Sequence, residues 1–91
     1  PPYTYMAMVV FSHEKPEKAM DKAQQAAAMF RGQRVLGPVT ISMRRQKHRV
    51  RLLIRDRDPA RLCQAVWQMV HELDHGAVKL DVTMHPLRLE D

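Results

Sequence analysis

The residues with the clearest chemical potential are two histidines four positions apart, His71 and His75, with Glu72 directly after the first. This HExxH pattern is typical of a zinc hydrolase helix, in which two imidazoles hold the metal and the carboxylate acts as general base. Such a site also needs a third protein ligand and a closed cleft. His85 and Glu90 are the candidate third ligands, but neither lies at a recognised spacing. We therefore expect no metal site.

The periodicity of the helix that contains the HExxH pattern also argues against a metal site. Its apolar residues follow the spacing 4, 3, 4 of a buried stripe: Leu62, Val66, Met69 and Leu73. The histidines fall on a different row, and all its members are polar: Arg61, Gln64, Gln68, His71 and His75. A row of this kind is typical of a solvent-facing helix surface. The sequence thus predicts that HELDH arises by chance and that the chain binds no cofactor.

The concentration of positive charge in one segment is a stronger indication of function than the HExxH pattern. The segment from Arg44 to Arg57 holds seven basic residues and one acid, a net charge of +6, whereas the whole chain carries +5. The remainder is therefore nearly neutral, at −1. A solvated strand and turn is the simplest interpretation of such a run, but this concentration favours an anionic partner. No Gly-rich phosphate loop, Ser-His-Asp set or disulfide pair accompanies it, since Cys63 is the only cysteine.

The positioning elements follow from the hydrophobic periodicity. The predicted elements, in order, are a strand at 3–12, a helix at 14–32, a strand after Gly37-Pro38, a turn at Gln46-Lys47-His48, a strand, a helix from Asp58-Pro59 to Gly76 and a strand at 78–84. The order βαββαβ predicts an α+β fold, a split-βαβ (ferredoxin-like) sandwich in which two helices cover one face of a four-stranded sheet. Ninety-one residues suffice for one such domain, and no apolar run approaches the roughly 18–20 residues that span a bilayer.

The alternation along the strands predicts which residues face the core. Val50, Leu52 and Ile54 are expected to face the helices, and the arginines between them to face outward. After Gly37-Pro38, three apolar residues point one way and three polar residues the other: Val39, Ile41 and Met43 against Thr40, Ser42 and Arg44. In the usual arrangement of this fold, the first and third strands are central.

With these elements placed, the sequence resembles, over essentially all 91 residues, the C-terminal domain of primosomal protein N′, the bacterial replication-restart helicase PriA. The matching features are the opening Pro1-Pro2-Tyr3, Ser12-His13-Glu14, the VLGP turn at 35–38, the basic positions Arg45, Lys47, Arg49 and Arg51, and Pro86. The family fold is likened to ribosomal protein S10, itself a βαββαβ unit. One departure is that the family usually has aromatic residues between the hairpin arginines, where this chain has Val50, Leu52 and Leu53.

The resemblance implies a parent chain that is an ATP-dependent 3′-to-5′ DNA helicase using ATP, magnesium and zinc, found in the bacterial cytoplasm at the nucleoid. Since the chain begins with Pro1 and lacks the ATPase motifs, we expect residues 1–91 to be one domain excised from that helicase and not itself an enzyme. It would bind forks and single-stranded DNA and contact the remaining helicase domains. The expected DNA-binding residues are Arg44, Arg45, Lys47, Arg49, Arg51 and Arg55. Arg61 matches the family position that binds the acidic tail of single-stranded DNA-binding protein.

Two other functions suit the same topology. An RNA-binding domain of the RRM type needs aromatic residues interleaved with glycine on the central strands, which RVRLLIR lacks. A small-ligand regulatory domain predicts a pocket and gives no reason for the +6 segment. Tyr3 and Tyr5 are candidates to stack on bases, or alternatively to pack on another part of a longer chain.

Overall fold

Four antiparallel strands form a single sheet, and two helices pack on one of its faces. The computed structural model describes the backbone of residues 3–88 and the side chains of residues 4–84. The elements are β1 (Tyr3–His13), α1 (Pro16–Ala27), β2 (Arg34–Arg44), β3 (Lys47–Asp56), α2 (Pro59–Glu72) and β4 (Lys79–Arg88). The strand order β2-β3-β1-β4 places the first and third strands in the centre. The predicted α+β split-βαβ fold is therefore confirmed.

The core lies between the helices and the inward side chains of the central strands. Ala7, Val9 and Phe11 of β1 are fully buried, and the predicted inward residues of β3, Val50, Leu52 and Ile54, are buried beside them. Helix α1 contributes alanines and α2 contributes Leu62, Val66 and Met69. The small alanine side chains let α1 lie close to the sheet, while larger side chains from α2 fill the remaining space.

Both helices begin with a first-turn proline, and both end earlier than predicted, α1 at Ala27 instead of Gly32 and α2 at Glu72 instead of Gly76. Pro16 and Pro59 occupy first turns, where a missing backbone N–H has no cost. The Asp58 carboxylate caps α2 by accepting hydrogen bonds from the Ala60 and Arg61 backbone N–H groups at 3.0 and 3.3 Å. Helix α2 stops at Glu72, not at Gly76, because Leu73 adopts an extended conformation and its side chain is buried in the core. The predicted polar row is thus wrong at His75, which lies beyond the helix.

Strand β2 is longer than predicted and is interrupted by a bulge at Gly37-Pro38. Leu36 pairs with Leu53 and Val39 with Arg51, so β2 uses one more residue than β3 between these pairs. Gly37 has φ +104°, and a Cβ there would lie 2.7 Å from the Arg51 carbonyl oxygen, so only glycine fits. The extra residue changes the alternation of side chains along β2.

The bulge places Val39 and Ile41, the apolar residues that follow it in β2, away from the core. Val39 and Ile41 pair with Arg51 and Arg49, which belong to the face that no helix covers, whereas Thr40 pairs with the inward Val50. Val39 is accordingly 47% exposed. This uncovered side of the sheet, the open face, therefore combines apolar and basic side chains.

The β2–β3 hairpin turns one residue earlier than predicted. Arg45 and Gln46 are the two turn residues, with φ values of 53° and 66°, and Lys47 and His48 already belong to β3. Positive φ at both central positions is the property of a type I′ turn, which matches the twist of the flanking strands. The predicted turn at Gln46-Lys47-His48 is wrong by this one-residue shift, and Arg45 is consequently at the tip.

Within residues 3–88, no helix is both long and apolar enough to cross a bilayer.

Candidate nucleic-acid interface

Basic side chains from three strands and a turn surround a cleft of about 490 Å³ on the open face. We call it the hairpin cleft, because four of its residues belong to the β2–β3 hairpin. Its lining residues are Met8, Val10, Arg44, Arg45, Lys47, Arg49, Lys79, Asp81 and Thr83. The structure therefore brings together four of the six predicted DNA-binding residues.

Strand pairing explains how the hairpin cleft is assembled. Ser12 of β1 pairs with Arg49 on one side and Lys79 on the other, so the two basic residues flank the same point of the central strand. Val10 and Met8 lie next along β1 and form an apolar floor. The Arg49 guanidinium also donates from Nη1 to the Ser42 carbonyl oxygen at 3.3 Å, where the β2–β3 ladder is irregular. Arg49 thus has both a structural contact and a place in the cleft.

The electrostatic character of the hairpin cleft is strongly positive. Five basic side chains and one acid line it, a net charge of +4 within a single concave surface. Arg44, Arg45 and Lys47 are exposed, and Asp81 is the acid. A concave basic surface of this kind attracts polyanions, because its positive potential raises their local concentration.

The two remaining predicted DNA-binding residues lie elsewhere on the open face. Arg51 pairs with Val10 and Val39 near the middle of the sheet and is half-buried. Arg55 pairs with Met6 and Arg34 toward the opposite end of β3. The six predicted DNA-binding residues therefore do not form one site: four of them line the hairpin cleft, whereas Arg51 and Arg55 do not.

Arg55 belongs to a second cleft of about 360 Å³, at the sheet end opposite the hairpin. This end cleft is lined by Thr4, Gly32, Arg34, Arg55, Asp56, Arg57 and Arg61. Four arginines and one aspartate give it a net charge of +3. The Arg55 Nε atom is buried and has no hydrogen-bond partner among the described residues.

Arg61, the predicted partner-binding residue, already holds an internal carboxylate. Its Nε and Nη2 atoms donate to Asp56 Oδ2 and Oδ1 at 2.8 and 2.7 Å, while its side chain stays 60% exposed. Asp56 is buried, and it also accepts from Gln33 Nε2 and the Asp58 backbone N–H. Hydrogen bonds from Arg61 are the main reason why the pKa of Asp56 lies well below its usual range, although burial opposes them.

These contacts change the physical basis of the Arg61 prediction. Free backbone N–H groups at a helix start favour anions, but at the start of α2 the Asp58 carboxylate already accepts from the N–H groups of Ala60 and Arg61. Two guanidinium N–H directions of Arg61 point to Asp56, so a partner carboxylate must use the others. Arg61 borders both the end cleft and a groove of about 520 Å³ between the end of α1 and α2.

The HExxH residues do not form the geometry of a zinc helix. His71 is exposed in the last turn of α2, whereas His75 lies after the helix with its Nδ1 2.8 Å from the Val78 carbonyl oxygen. The two imidazoles therefore do not project from successive turns of one helix, as a metal pair of this type requires. His85 and Glu90 lie outside the residues whose side chains are described. Among the described residues, no group of three or more His, Cys, Asp or Glu side chains is arranged to hold a metal.

Tyr5 does not lie on the open face. It follows the alternation of Ala7 and Val9 and packs, partly buried, against the core on the helix side. Of the two alternatives for Tyr5, its position does not suit stacking on bases at the open face. The side chain of Tyr3 lies outside the described residues.

Three basic residues of these clefts were missed in the sequence. Lys79 lies 30 positions from Arg49, and only the pairing of β4 with β1 brings the two together. Arg34 joins Arg55 through the pairing of β2 with β3, and Arg57 follows directly after the end of β3. The alternation of Val78, Leu80 and Val82 with polar residues indicates that Lys79 faces outward, but its neighbours depend on the strand order.

Together these features define a class: a small α+β domain with an open antiparallel sheet whose exposed face carries basic clefts. The chain belongs to the family of primosomal protein N C-terminal domains, whose sequence model matches residues 1–87. The resemblance based on the VLGP turn and the hairpin positions is thereby confirmed. The family connects the chain with the primosome and replication restart.

One of the similar solved structures shows the same fold at low sequence identity. The de novo designed protein Foldit4 is 16% identical, with a TM-score of 0.69 over 93% of this chain and 99% of the designed one. Another design, Ferredog-Diesel, is 13% identical at a TM-score of 0.47, covering 91% of this chain and 86% of the design. A putative PII-like signaling protein from Thermus thermophilus is also 13% identical, at a TM-score of 0.43, with coverages of 97% and 94%. Only the first value indicates a shared fold. No curated protein sequence matches the chain.

Proposed function

We propose that this chain is the DNA-binding and partner-binding C-terminal domain of a bacterial replication-restart helicase. It binds the backbone of forked and single-stranded DNA, acts in the cytoplasm at the nucleoid, and is not itself catalytic. ATP, magnesium and zinc belong to the parent helicase in this proposal, and this domain needs no cofactor. The observation that carries the proposal is the hairpin cleft, where five basic side chains converge on one concave surface.

The hairpin cleft suits phosphate binding more than base readout. Its cationic groups are on long, mostly exposed side chains, which can neutralise phosphates without reading sequence. Among residues 3–88, no helix or separate ribbon projects from the open face to enter the major groove. We therefore expect affinity to fall steeply with salt and to vary little with base sequence.

Charge reversal at the hairpin tip tests this proposal. Arg45→Glu/Lys47→Glu changes two exposed residues that line the cleft, and it leaves the Arg49 contact with Ser42 intact. We expect DNA affinity to fall at least ~10-fold at low salt, and the slope of log K against log salt to decrease by about one per lost phosphate contact. Fluorescence anisotropy across a salt series measures both quantities.

The matched control is Lys18→Glu/Lys22→Glu on α1, which makes the same charge change on the helix side of the sheet. The control should weaken binding only slightly. Equal losses in the two variants, or strong discrimination between unrelated sequences of equal length, would contradict the hairpin assignment.

The second part of the proposal concerns the acidic tail of single-stranded DNA-binding protein. The groove bordered by Arg61 also contains Arg31 and the apolar Met29, so it offers cationic and apolar contacts together. A peptide ending in acidic and apolar residues has the complementary chemistry. Arg61 retains guanidinium N–H groups beyond those that bind Asp56.

The test must separate partner binding from the internal role of Arg61, because Arg61→Ala alone leaves Asp56 buried without its ion-pair partner. Asp56→Asn therefore provides a neutral background. In the full-length parent protein, Asp56→Asn/Arg61→Ala should bind an acidic-tail peptide at least about fivefold more weakly than Asp56→Asn, since a charge-assisted contact is lost. Equal peptide affinity of these two variants would show that Arg61 serves only the fold.

A further inference from the structure

Two basic clefts lie at opposite ends of the sheet, and the open face between them carries apolar side chains and the half-buried Arg51. The hairpin cleft lies where β2 and β3 join, and the end cleft lies where β3 ends and β2 begins. Lys47 and Arg55, one from each cleft, are eight residues apart on β3. At a rise of ~3.3 Å per residue, this separation is about 26 Å.

The end cleft has the features of a site for anionic oxygen atoms. Arg34, Arg55 and Arg57 bring three guanidinium groups to it, whereas its one carboxylate, Asp56, is already paired with Arg61. Arg34 and Arg55 pair directly across β2 and β3, although like charges placed opposite each other repel. The buried Arg55 Nε has no partner among the described residues, and an unpaired buried donor is costly unless a ligand satisfies it.

The middle of the open face is apolar across three strands. Leu36 of β2 pairs with Leu53 of β3, and Leu53 pairs with Met8 of β1. Val10 and Val39 flank this row on the hairpin side, each paired with Arg51. The helices pack on the other face, so the Leu36–Leu53–Met8 row, the apolar strip, lies on the solvent side between the two basic clefts.

The arrangement of two basic clefts and an apolar strip can be compared with the chemical groups that duplex and unpaired DNA present. A duplex presents phosphates and sugars along its backbone, and its bases are stacked inside, so the apolar strip has nothing to contact. An unpaired strand presents phosphates and also apolar base faces that pack on nonpolar side chains. At the duplex rise of ~3.4 Å per nucleotide in each strand, about eight nucleotides or fewer cover the ~26 Å between the clefts.

We infer that single-stranded DNA lies along the open face from the hairpin cleft to the end cleft, with its phosphates at the two basic ends and its bases over the apolar strip. This inference rests on the proposed function and extends it, because it assigns the single strand a path across the open face and names Arg34 and Arg57 as binding residues. Affinity then has two components: a salt-dependent one from both clefts and a salt-insensitive one from the strip.

A length series tests the path. Oligothymidylates of about 4 and about 12 nucleotides are compared by anisotropy with the unmodified chain and with Arg34→Glu/Arg57→Glu. At the duplex rise the shorter oligonucleotide spans only ~14 Å of the ~26 Å between the clefts, so the end-cleft variant should lower its affinity by less than about threefold. The longer one spans both, and its affinity should fall at least ~10-fold. Lys18→Glu/Lys22→Glu again controls for net charge.

A second variant tests the apolar strip. Met8→Thr/Leu53→Thr keeps every charge and the β propensity of the strands. It should weaken binding of the ~12-nucleotide strand about 3–10-fold without changing its salt slope, and leave binding of a duplex of the same length unaffected. Circular dichroism and the urea midpoint confirm that each variant is folded.

The outcomes separate the inference from the proposed function. If Arg34→Glu/Arg57→Glu weakens the shorter oligonucleotide as much as the longer one, or no more than the α1 control does, the path is wrong. A duplex bound as tightly as the single strand would also overturn it. If instead the hairpin variant Arg45→Glu/Lys47→Glu binds every ligand normally, the proposed function itself fails.

Discussion

At the scale of single residues, Asp81 is the acid that opposes the hairpin cleft. It is exposed, lines the cleft beside Lys79 and Thr83, and places a negative charge where phosphates are expected. Asp81→Asn should therefore strengthen DNA binding about two- to fivefold at low salt, with the gain shrinking as salt screens the charge. Anisotropy at several salt concentrations measures the effect.

Asp21→Asn is the matched control for Asp81, since Asp21 is exposed on α1 and the substitution makes the same change of net charge on the other side of the sheet. Similar gains in both variants would mean that net charge alone governs affinity and that the cleft has no special part.

Asp56 links stability to pH. Its pKa is held low in the folded chain, chiefly by Arg61, whereas the unfolded value is about 3.9. The stabilisation from its ionised form is therefore complete above about pH 5 and is lost as pH falls below about 4 toward the folded value. Asp56→Asn should lower the free energy of unfolding at neutral pH, and its difference from the unmodified chain should shrink in acid. Urea unfolding at a series of pH values measures this.

The exposed Asp74 provides the comparison for Asp56, because Asp74→Asn makes the same chemical change on the surface. It should leave stability nearly unchanged at every pH. A destabilisation by Asp56→Asn that is constant with pH would show that the ion pair with Arg61 is not its source.

At the scale of elements, the β2–β3 hairpin carries strain at its tip. Arg45 and Gln46 both have positive φ, where a non-glycine residue costs roughly 1–2 kcal/mol. Gln46→Gly should stabilise the chain by about 0.5–1 kcal/mol, after allowance for the entropy of glycine in the unfolded chain. The urea midpoint should rise at constant m value, and DNA affinity should not change, because no charge is altered.

Gln46→Ala is the control for this turn, since alanine gains nothing from a positive φ. It should not stabilise the hairpin. An equal or larger gain from alanine would mean that backbone conformation is not the cause. Arg45→Asn should also relieve strain but weaken DNA binding, which would separate the structural and ligand roles of the tip.

The elements also show which structural features hydrophobic periodicity predicts and which it does not. The inward set Val50, Leu52 and Ile54 was predictable, because strict alternation has a single consistent orientation once a helix covers one side. The orientation of Val39 was not, because it depends on a bulge that exists only where Gly37 approaches the Arg51 carbonyl. The early end of α2 was likewise hidden, since Leu73 fits the helical spacing but reaches the core from an extended backbone.

At the scale of the whole molecule, composition and family resemblance predicted a basic binding domain, but not the arrangement of its charge. Seven basic residues between Arg44 and Arg57 were visible as one run, yet four of them lie at the hairpin end of the sheet, two at the opposite end about 26 Å away, and Arg51 between these ends. Lys79 and Arg34 complete these ends through strand pairing. Contacts between residues that lie far apart in the sequence are the feature that a single sequence predicts least well.

The central claim is that DNA binds the open face and leaves the helix face free. Amide chemical-shift mapping by heteronuclear NMR, during titration with a single strand of about 12 nucleotides, tests it most directly. The account predicts shifts concentrated in the β2–β3 hairpin, the middle of β1, the start of β4 and the end cleft where β2 begins and β3 ends, with α1 unperturbed along its length. Shifts concentrated in α1 and in the outward residues of α2, with the hairpin unchanged, would contradict it.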